Sequence, residues 1–333
     1  MSAFHSQPSS GDKKGGADAG AVDARADDIV RLDRGDLRLQ PVDGRASLGP
    51  AARAWQLAAV FGAELLRSTG RKFLFALAFL PAAALVALVL ARTRIEAFAV
   101  ADEEQLRYVL ETYATLASWT AAWSGFAVAT VGVGQIPRDL RAGALLLYFT
   151  RPVGRLDYLL GRGLATTLWL LCGLAIPVAL VTAAMVVGFG AQPAELAGIS
   201  PWLFWPGLLL AGLAKSLVQA IWLAAVALGV GASLRGPTAA GLAVVGGLLG
   251  TRALAGILSS VWGRESMIGA VDLVAGLDAP SVFLLRPFGG VPPPHIAVLE
   301  AAIGLGLWTA LAVVGWRVAM HVVYSAPLGR GRS

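Results

Sequence analysis

The sequence predicts an all-α membrane protein with six transmembrane helices, and three observations lead to this fold class. Hydrophobic residues make up 56% of the 333 residues, only 14% are charged, and the mean hydropathy is +0.68. Soluble domains carry roughly 25% charged residues, so too few polar side chains remain here to cover a surface in water. Six apolar windows follow one another, each close to the ~20 residues that cross a bilayer. A soluble enzyme fold is therefore nearly excluded.

Two segments precede these windows. Residues 1–50 carry seven basic and eight acidic side chains with few apolar runs, which is typical of a disordered tail. This tail has no apolar h-region after a basic start, so we expect it to remain in the cytosol. Residues 51–72 predict an amphipathic helix in the membrane interface. Its apolar arc is Trp55, Ala58, Phe61, Gly62, Leu65 and Leu66, and the polar residues opposite are Arg53, Glu64, Arg67 and Arg71. The alternative is a helix that packs on protein.

The six-span domain is predicted over residues 73–320, and residues 321–333 form a second cytosolic tail. Its apolar windows are 73–91, 113–135, 163–188, 206–230, 238–259 and 296–318. The second window is the least hydrophobic, so we expect it inside the bundle. The connection over 258–294 is too apolar for a solvated loop, which predicts an external re-entrant segment of short helices buried by protein. A small extracytoplasmic cap is the alternative.

The basic residues predict the orientation, because translocation disfavours loops that contain Lys and Arg. One alternate set of connections, which includes both termini, holds 12 of these residues, and the other set holds five. We therefore predict a multi-pass protein of the cell (inner) membrane with cytosolic N- and C-termini. The net charge of +6 then follows from topology, so a nucleic-acid partner is not needed.

Residues for enzyme chemistry are sparse. Cys172 is the only cysteine, and the three histidines are His5 in the tail and His295 and His321 at opposite ends of the last window. This pattern predicts no metal site and no catalytic residue. No Gly-rich stretch leads into Gly-Lys-Ser/Thr, so no P-loop is predicted. We expect the chain to bind no cofactor itself.

The cytosolic connection over 136–162 carries a distinctive pattern. Its amphipathic stretch from Asp139 to Tyr148 predicts a short helix. Pro152 disfavours helical geometry at Arg151, so we expect a second helix to begin near Arg155. A helix, a break and a basic second helix together favour a docking surface, and a solvated loop helix is the alternative.

This connection resembles the corresponding segment in permease subunits of ABC-2 type transporters, especially the NosY-like group. The residues that match the family pattern are Asp139, Arg141, Gly143, Leu147, Tyr148, Arg151, Pro152, Arg155, Asp157, Tyr158, Leu159 and Gly161. Arg162 replaces the usual Lys and keeps its charge. The motif covers about 25 residues, and the six-span layout extends the similarity over most of the chain after Ala51.

The resemblance implies a coupling helix seated in a groove of a separate cytosolic ABC ATP-binding subunit, where ATP and Mg²⁺ would bind. It also implies a second permease subunit, in a homodimer or heterodimer, and export as the direction of transport. A non-transporting membrane anchor or signal-transducing subunit is the main alternative. The residues assigned to coupling are Asp139, Leu140, Arg141, Gly143, Leu147, Tyr148, Arg151, Pro152 and Arg155.

Polar residues within the windows suggest a path and an ion pair. Lys215 and Gln219 are four residues apart and share a helical face, so they are candidates for lining a transport path. Arg252 and Glu300 differ by only about 4 Å in predicted depth at ~1.5 Å per residue, which suggests a structural ion pair. The alternative is that Lys215 also pairs within the bundle. An ion-coupled secondary transporter is disfavoured because no internal repeat is visible.

Overall fold

The computed structural model describes residues 49–94, 102–145, 153–234, 236–262, 272–288 and 298–325. Regular structure in these residues is entirely helical, which confirms the all-α fold class. The predicted tail over 1–50 lies almost wholly outside the described residues. The helices, numbered here in chain order, are α1 Pro50–Arg67, α2 Thr69–Leu77, α3 Phe79–Arg94, α4 Asp102–Ala127, α5 Gln135–Arg141, α6 Arg155–Phe189, α7 Gln192–Leu196, α8 Pro201–Ser233, α9 Pro237–Trp262, α10 Leu273–Leu277, α11 Ala279–Leu285 and α12 Val298–Ser325.

The described residues contain six helical stretches that are long and apolar enough to cross a membrane, which confirms a multi-pass membrane protein. These stretches are Thr69–Arg92, Gln105–Arg141, Arg155–Phe189, Pro201–Ser233, Pro237–Val261 and Val298–Ser325. Each contains or overlaps one predicted window. Several are longer than the windows, because polar turns continue the helices past the apolar stretch. A helix of 35 residues, the length of α6, spans about 50 Å and exceeds the ~30 Å hydrocarbon layer.

The predicted interfacial helix ends earlier than expected. Pro50 occupies the first helical position of α1, a favoured place for proline, and the backbone becomes extended at Ser68. Residues 69–72 therefore belong to the first membrane stretch and not to the amphipathic helix. The helix lies against α6 on one face, which is the alternative that the sequence left open. The face that packs on the bundle consists of Ala54, Leu57, Ala58, Phe61 and Leu65.

The arc predicted for this helix is correct only in part. Trp55 is 59% exposed and Leu66 is 50% exposed, so they lie beside the packed face and not within it. Helix α1 thus has one apolar face against protein and a second apolar face that the rest of the described chain does not cover. Its location in a membrane interface stays a prediction.

The second membrane stretch is the most enclosed of the six, as the sequence predicts. Helix α4 continues through one wide turn of π-helix, Val128–Gly132, before α5 begins. Four residues of that turn are buried, and α8 and α9 both pack against it. The turn leads into α5, whose Asp139 contacts Arg162 of α6.

The core forms where α8 packs against α6 and α12. Small residues allow close contact between α8 and α12, because a Cβ atom on Gly229 would lie 2.3 Å from the Cα atom of Gly315. Large aromatic rings fill the wider gaps: Trp222 stacks on Trp308 with centroids 6.3 Å apart. The Trp308 indole donates a hydrogen bond to the Leu273 carbonyl at 2.9 Å, which fixes α10 to α12.

The region of the predicted re-entrant segment forms two short helices, α10 and α11, of five and seven residues. Neither is long enough to cross a bilayer. They pack against α8 and α12, and the buried residues at their junction are Gly276, Leu277, Asp278, Ala279, Pro280, Ser281 and Val282. Which side of the membrane they occupy stays a prediction.

Close packing between α8 and α12 leads to a first prediction. We expect Gly229→Ala to lower the melting temperature of the protein in detergent by several degrees, because the added methyl group overlaps the α12 backbone. Gly246→Ala is the matched control: nothing lies within 4 Å of a Cβ atom there, and alanine favours a helix over glycine by about 1 kcal/mol. A Gly229→Ala protein as stable as the Gly246→Ala protein would contradict this packing.

Candidate functional site: two buried polar clusters

The first cluster surrounds Arg162, near the start of α6, and we call it the Arg162 cluster. Its members are Glu64, Asp139, Tyr158 and Arg162. The Arg162 Nη2 atom donates to both carboxylate oxygens of Asp139, at 2.8 and 2.7 Å, and Nε donates to Oδ2 at 3.0 Å. The Tyr158 hydroxyl donates to the same Oδ2 at 2.5 Å. Arg162 is 2% exposed and Asp139 is 8% exposed, so this charge pair is almost removed from solvent.

Helix α1 completes the environment of this guanidinium. The Nη1 atom of Arg162 donates to Glu64 Oε2 at 3.0 Å, and its Cζ atom lies 3.7 Å from the centroid of the Phe61 ring. Stacking on an aromatic face suits arginine, whose planar cation is weakly hydrated. A further polar contact joins α5 to α6: the Gln135 amide donates to the Thr166 hydroxyl at 2.8 Å. Three elements, α1, α5 and α6, are thus joined at one cation.

The Asp139 side chain points inward, and its role in coupling stays a prediction. This residue was assigned to a docking surface, but its carboxylate is occupied by Arg162 and Tyr158. The neighbouring residues face outward instead: Leu140 is 38% exposed, and Arg141 and Gly143 are exposed as well. Asp139 therefore holds α5 in place, and the four residues after it, 140–143, form the accessible surface.

The single helix predicted from Asp139 to Tyr148 is wrong. Helix α5 ends at Arg141, and Gly143 adopts a φ of +63°. Glycine reaches this left-handed region without the steric cost that a side chain would add, so it terminates the helix. Leu147, Tyr148, Arg151 and Pro152 lie outside the described residues, and their coupling role stays a prediction.

Arg155, the last of the predicted coupling residues, does begin a helix as expected. It also contacts the C-terminal end of α12: its Nη1 atom donates to the Tyr324 carbonyl, and its guanidinium lies 5.7 Å from the Tyr324 ring centroid. Asp157 caps the same helix by accepting the Gly154 amide at 3.0 Å. The first turn of α6 is therefore anchored from two sides.

The second cluster, which we call the Lys215 cluster, lies deep in the bundle and contains Ser124, Lys215, Gln219 and Asp278. Lys215 is 6% exposed, and its Nζ atom donates to Asp278 Oδ1 at 2.7 Å. The Gln219 amide donates to the Ser124 hydroxyl at 2.8 Å. Lys215 comes 14 residues after the start of α8, about 21 Å along its axis. The structure thus shows Lys215 paired within the bundle, the alternative that the sequence left open.

A small cavity borders this cluster. It lies between α4, α6, α8 and α11, has a volume of about 20 Å³, and includes Lys215 in its wall. A space of this size holds about one water molecule. Gln219 is fully buried against α4 and is not among the lining residues. A role for either residue in lining a transport path stays a prediction.

The proposed ion pair between Arg252 and Glu300 is wrong. Glu300 is 4% exposed in the first turn of α12, whereas Arg252 is exposed on α9. No ion pair joins the two in the part of the chain that the structure describes. Similar predicted depth was not sufficient, because α9 and α12 are not among the helix pairs that pack closely in the described residues. Lys215 instead forms an ion pair with Asp278 inside the bundle.

Sequence reasoning missed the partners in both clusters. Asp278 lies outside the six windows and was taken for an external connection, yet it is 6% exposed. Its signal was an isolated carboxylate in an otherwise apolar stretch from Leu273 to Leu285. Glu64 was read as the polar side of an amphipathic helix. Tyr158 and Arg162 were noted only as parts of a motif.

These observations define the class of the protein: a polytopic helical membrane protein with charged residues paired inside its bundle. Comparison of the sequence with protein-family models and with curated proteins found no match. Among the described residues, no group of three or more His, Cys, Asp or Glu side chains is placed to hold a metal ion. The function must therefore be inferred from the two clusters and from the surface beside them.

The Arg162 cluster predicts a large effect of a small change. Asp139→Asn should destabilise the protein by about 3–5 kcal/mol, because removing one partner leaves a buried charge without full compensation. Arg141→Gln, two residues away on the exposed end of the same helix, should change stability by no more than about 0.5 kcal/mol. Thermal unfolding of both variants in detergent measures the difference. Equal melting temperatures would show that the contact between Asp139 and Arg162 contributes little to stability.

The Lys215 cluster predicts a double-mutant result. Lys215→Met and Asp278→Asn should each lower thermal stability strongly, whereas the double variant should recover part of the loss because neither charge is then left alone. Arg252→Met serves as the control and should change stability little, because Arg252 is exposed. Additive losses in the double variant would contradict a direct interaction between Lys215 and Asp278.

Proposed function

We propose that this chain is the permease subunit of an ABC-2 type ATP-driven transporter, works as an exporter in a dimer, and couples to a separate cytosolic ATP-binding subunit. The observation that carries the proposal is the junction of an exposed turn with a buried charge cluster. The turn is Leu140–Gly143, and Asp139 joins it to Arg162. A connection of this kind can transmit force from a bound partner into the membrane bundle.

The turn has the chemistry of a docking surface. Leu140 offers an apolar side chain that is 38% exposed, and Arg141 adds a cation beside it. Interfaces between proteins commonly use an apolar centre with arginine near it. The partner would seat this turn in a groove, and it would supply the ATP and Mg²⁺ site that the sequence of this chain does not predict.

The Arg162 cluster supports the transmission step. An exposed loop alone would move independently of the bundle, but α5 is tied to Arg162 by several charge-assisted hydrogen bonds. Arg162 in turn binds Glu64 and stacks on Phe61 of α1. A displacement of the turn would therefore move α1, α5 and the start of α6 as one unit.

The bundle beyond the cluster supports a dimer. Helix α6 runs without interruption from Arg155 to Phe189, so motion at its first turn reaches the depth of the Lys215 cluster. The cavity beside Lys215 is about 20 Å³, which is too small for most substrates. Two of the membrane stretches, Thr69–Arg92 and Pro237–Val261, are covered over only 22% and 17% of their apolar windows. These faces leave room for a second permease subunit and for lipid.

The test combines the full chain with candidate P-loop ATPases from the same source in proteoliposomes. We expect one ATPase to bind the chain and to hydrolyse ATP several times faster in its presence. Leu140→Asp should abolish most of this stimulation while leaving the melting temperature within a few degrees, because it places a carboxylate in an apolar contact. Gln192→Asp is the control, since Gln192 is exposed beyond the far end of α6.

Two outcomes would contradict the proposal. If no ATPase binds, or if Leu140→Asp and Gln192→Asp stimulate hydrolysis equally, the turn is not a coupling surface. If a partner binds at the turn but no ATP-dependent transport occurs with any substrate class, the chain is a membrane anchor or signal-transducing subunit instead.

A further inference from the structure

The cavity beside Lys215 has an unusual distribution of polar groups. Its wall contains one charged side chain, Lys215, and hydroxyl groups from Tyr113, Thr120, Ser216 and Ser281. None of the described residues that line it is acidic. The hydroxyls of Thr120, Ser216 and Ser281 donate to backbone carbonyls, and the Tyr113 hydroxyl pairs with that of Thr182. Lys215 is therefore the group that gives the wall its charge, and a cation would be repelled by it. The cavity therefore favours a group with negative charge over a cation.

Lys215 is already neutralised from its other side. Asp278 accepts a hydrogen bond from Nζ at 2.7 Å, and this carboxylate is not part of the cavity wall. Two buried opposite charges in a membrane bundle stabilise each other, and an added anion would leave an excess negative charge there. A negatively charged ligand can thus bind well only if it takes the place of Asp278.

The position of Asp278 makes such an exchange feasible. Lys215 belongs to a continuous helix of 33 residues. Asp278 lies at the junction of α10 and α11, which have five and seven residues. Moving the carboxylate therefore requires displacement of two short helices, whereas moving Lys215 would require displacement of a membrane-spanning one. Ser281 and Leu285 of α11 also line the cavity, so the same displacement would enlarge it.

We propose that the cavity is the closed form of a binding site for the anionic group of an amphipathic substrate, a phosphate or carboxylate that replaces Asp278 on Lys215. The apolar body of the substrate would contact Leu116, Val178 and Leu285. These residues form the rest of the wall together with the small residues Ala117, Ala211 and Gly212. Binding releases the Asp278 carboxylate together with its short helices. This inference names a substrate class for the proposed transporter and rests on that function.

Binding is tested on the full chain alone, in nanodiscs of phosphatidylcholine, with radiolabelled dodecyl phosphate as the probe. Inorganic phosphate tests a free anion, and dodecyl maltoside tests an uncharged amphiphile with the same tail. Empty nanodiscs measure partitioning into lipid. We expect saturable binding of dodecyl phosphate that dodecyl maltoside does not displace. If inorganic phosphate binds more weakly than dodecyl phosphate, the ligand is an amphiphile. If it binds equally or more tightly, the proposed apolar part of the substrate is overturned.

Three variants decide where the anion binds. Asp278→Asn should raise the affinity for dodecyl phosphate about tenfold, because the competing carboxylate is gone. The double variant Lys215→Gln/Asp278→Asn should lose saturable binding, and its neutral pair keeps the protein testable if a single variant is unstable. Arg252→Gln should bind like the unaltered chain, since it removes an exposed membrane cation elsewhere.

Unchanged binding in the double variant, or weaker binding in a folded Asp278→Asn protein, would overturn the site. This measurement needs no ATPase, so its failure is separate from that of the proposed function. A chain that stimulates its ATPase but does not bind the probe contradicts only the substrate class. A chain that binds the probe but recruits no ATPase contradicts the transporter and leaves the anion site standing.

Discussion

The bidentate contact between Arg162 and Asp139 determines how one end of this bundle is organised. A guanidinium that is 2% exposed is strongly unfavourable unless its donors are used. Asp139, Glu64 and the Phe61 ring together provide a carboxylate fork, a second acceptor and an aromatic face. Asp139 belongs to α5, and Glu64 and Phe61 belong to α1. Charge compensation therefore brings α1 and α5 to α6 at a defined place.

The same constraint acts differently on the Lys215 cluster. Arg162 has three neighbours in fixed directions, whereas Lys215 has one carboxylate at 2.7 Å and a cavity beside it. An ammonium group is a compact charge with rotatable donors, and a guanidinium is a rigid fork. A rigid guanidinium suits a permanent contact between helices. A compact charge suits a pair whose partner can be exchanged, and this contrast separates a structural role for one cluster from a ligand-binding role for the other.

The sequence predicted the fold class and the six long helices because these depend on long apolar runs, which are local features. It failed where the result depends on the direction of side chains around helices. Arg252 and Glu300 were paired by depth, but depth along an axis says nothing about angle around it. Asp278 was missed as a partner of Lys215 because the sequence predicts short buried helices in this connection but not which membrane helix they pack against. Glu64 has an ordinary place in an amphipathic pattern, and only the packing of α1 on α6 explains its contact with Arg162.

The parallel stacking of Trp222 and Trp308 has a spectroscopic consequence. The two indole rings are inclined by 14° with centroids 6.3 Å apart, and they belong to α8 and α12, the helices that form the core. Electronic transitions in indoles this close couple to one another and give circular dichroism that isolated indoles lack. Trp123 and Trp169 form a second stacked pair with centroids 5.8 Å apart, so the difference between the spectra of the protein and of a Trp308→Phe variant isolates the signal that reports on α8 and α12. Any change in their separation alters that signal without an attached label.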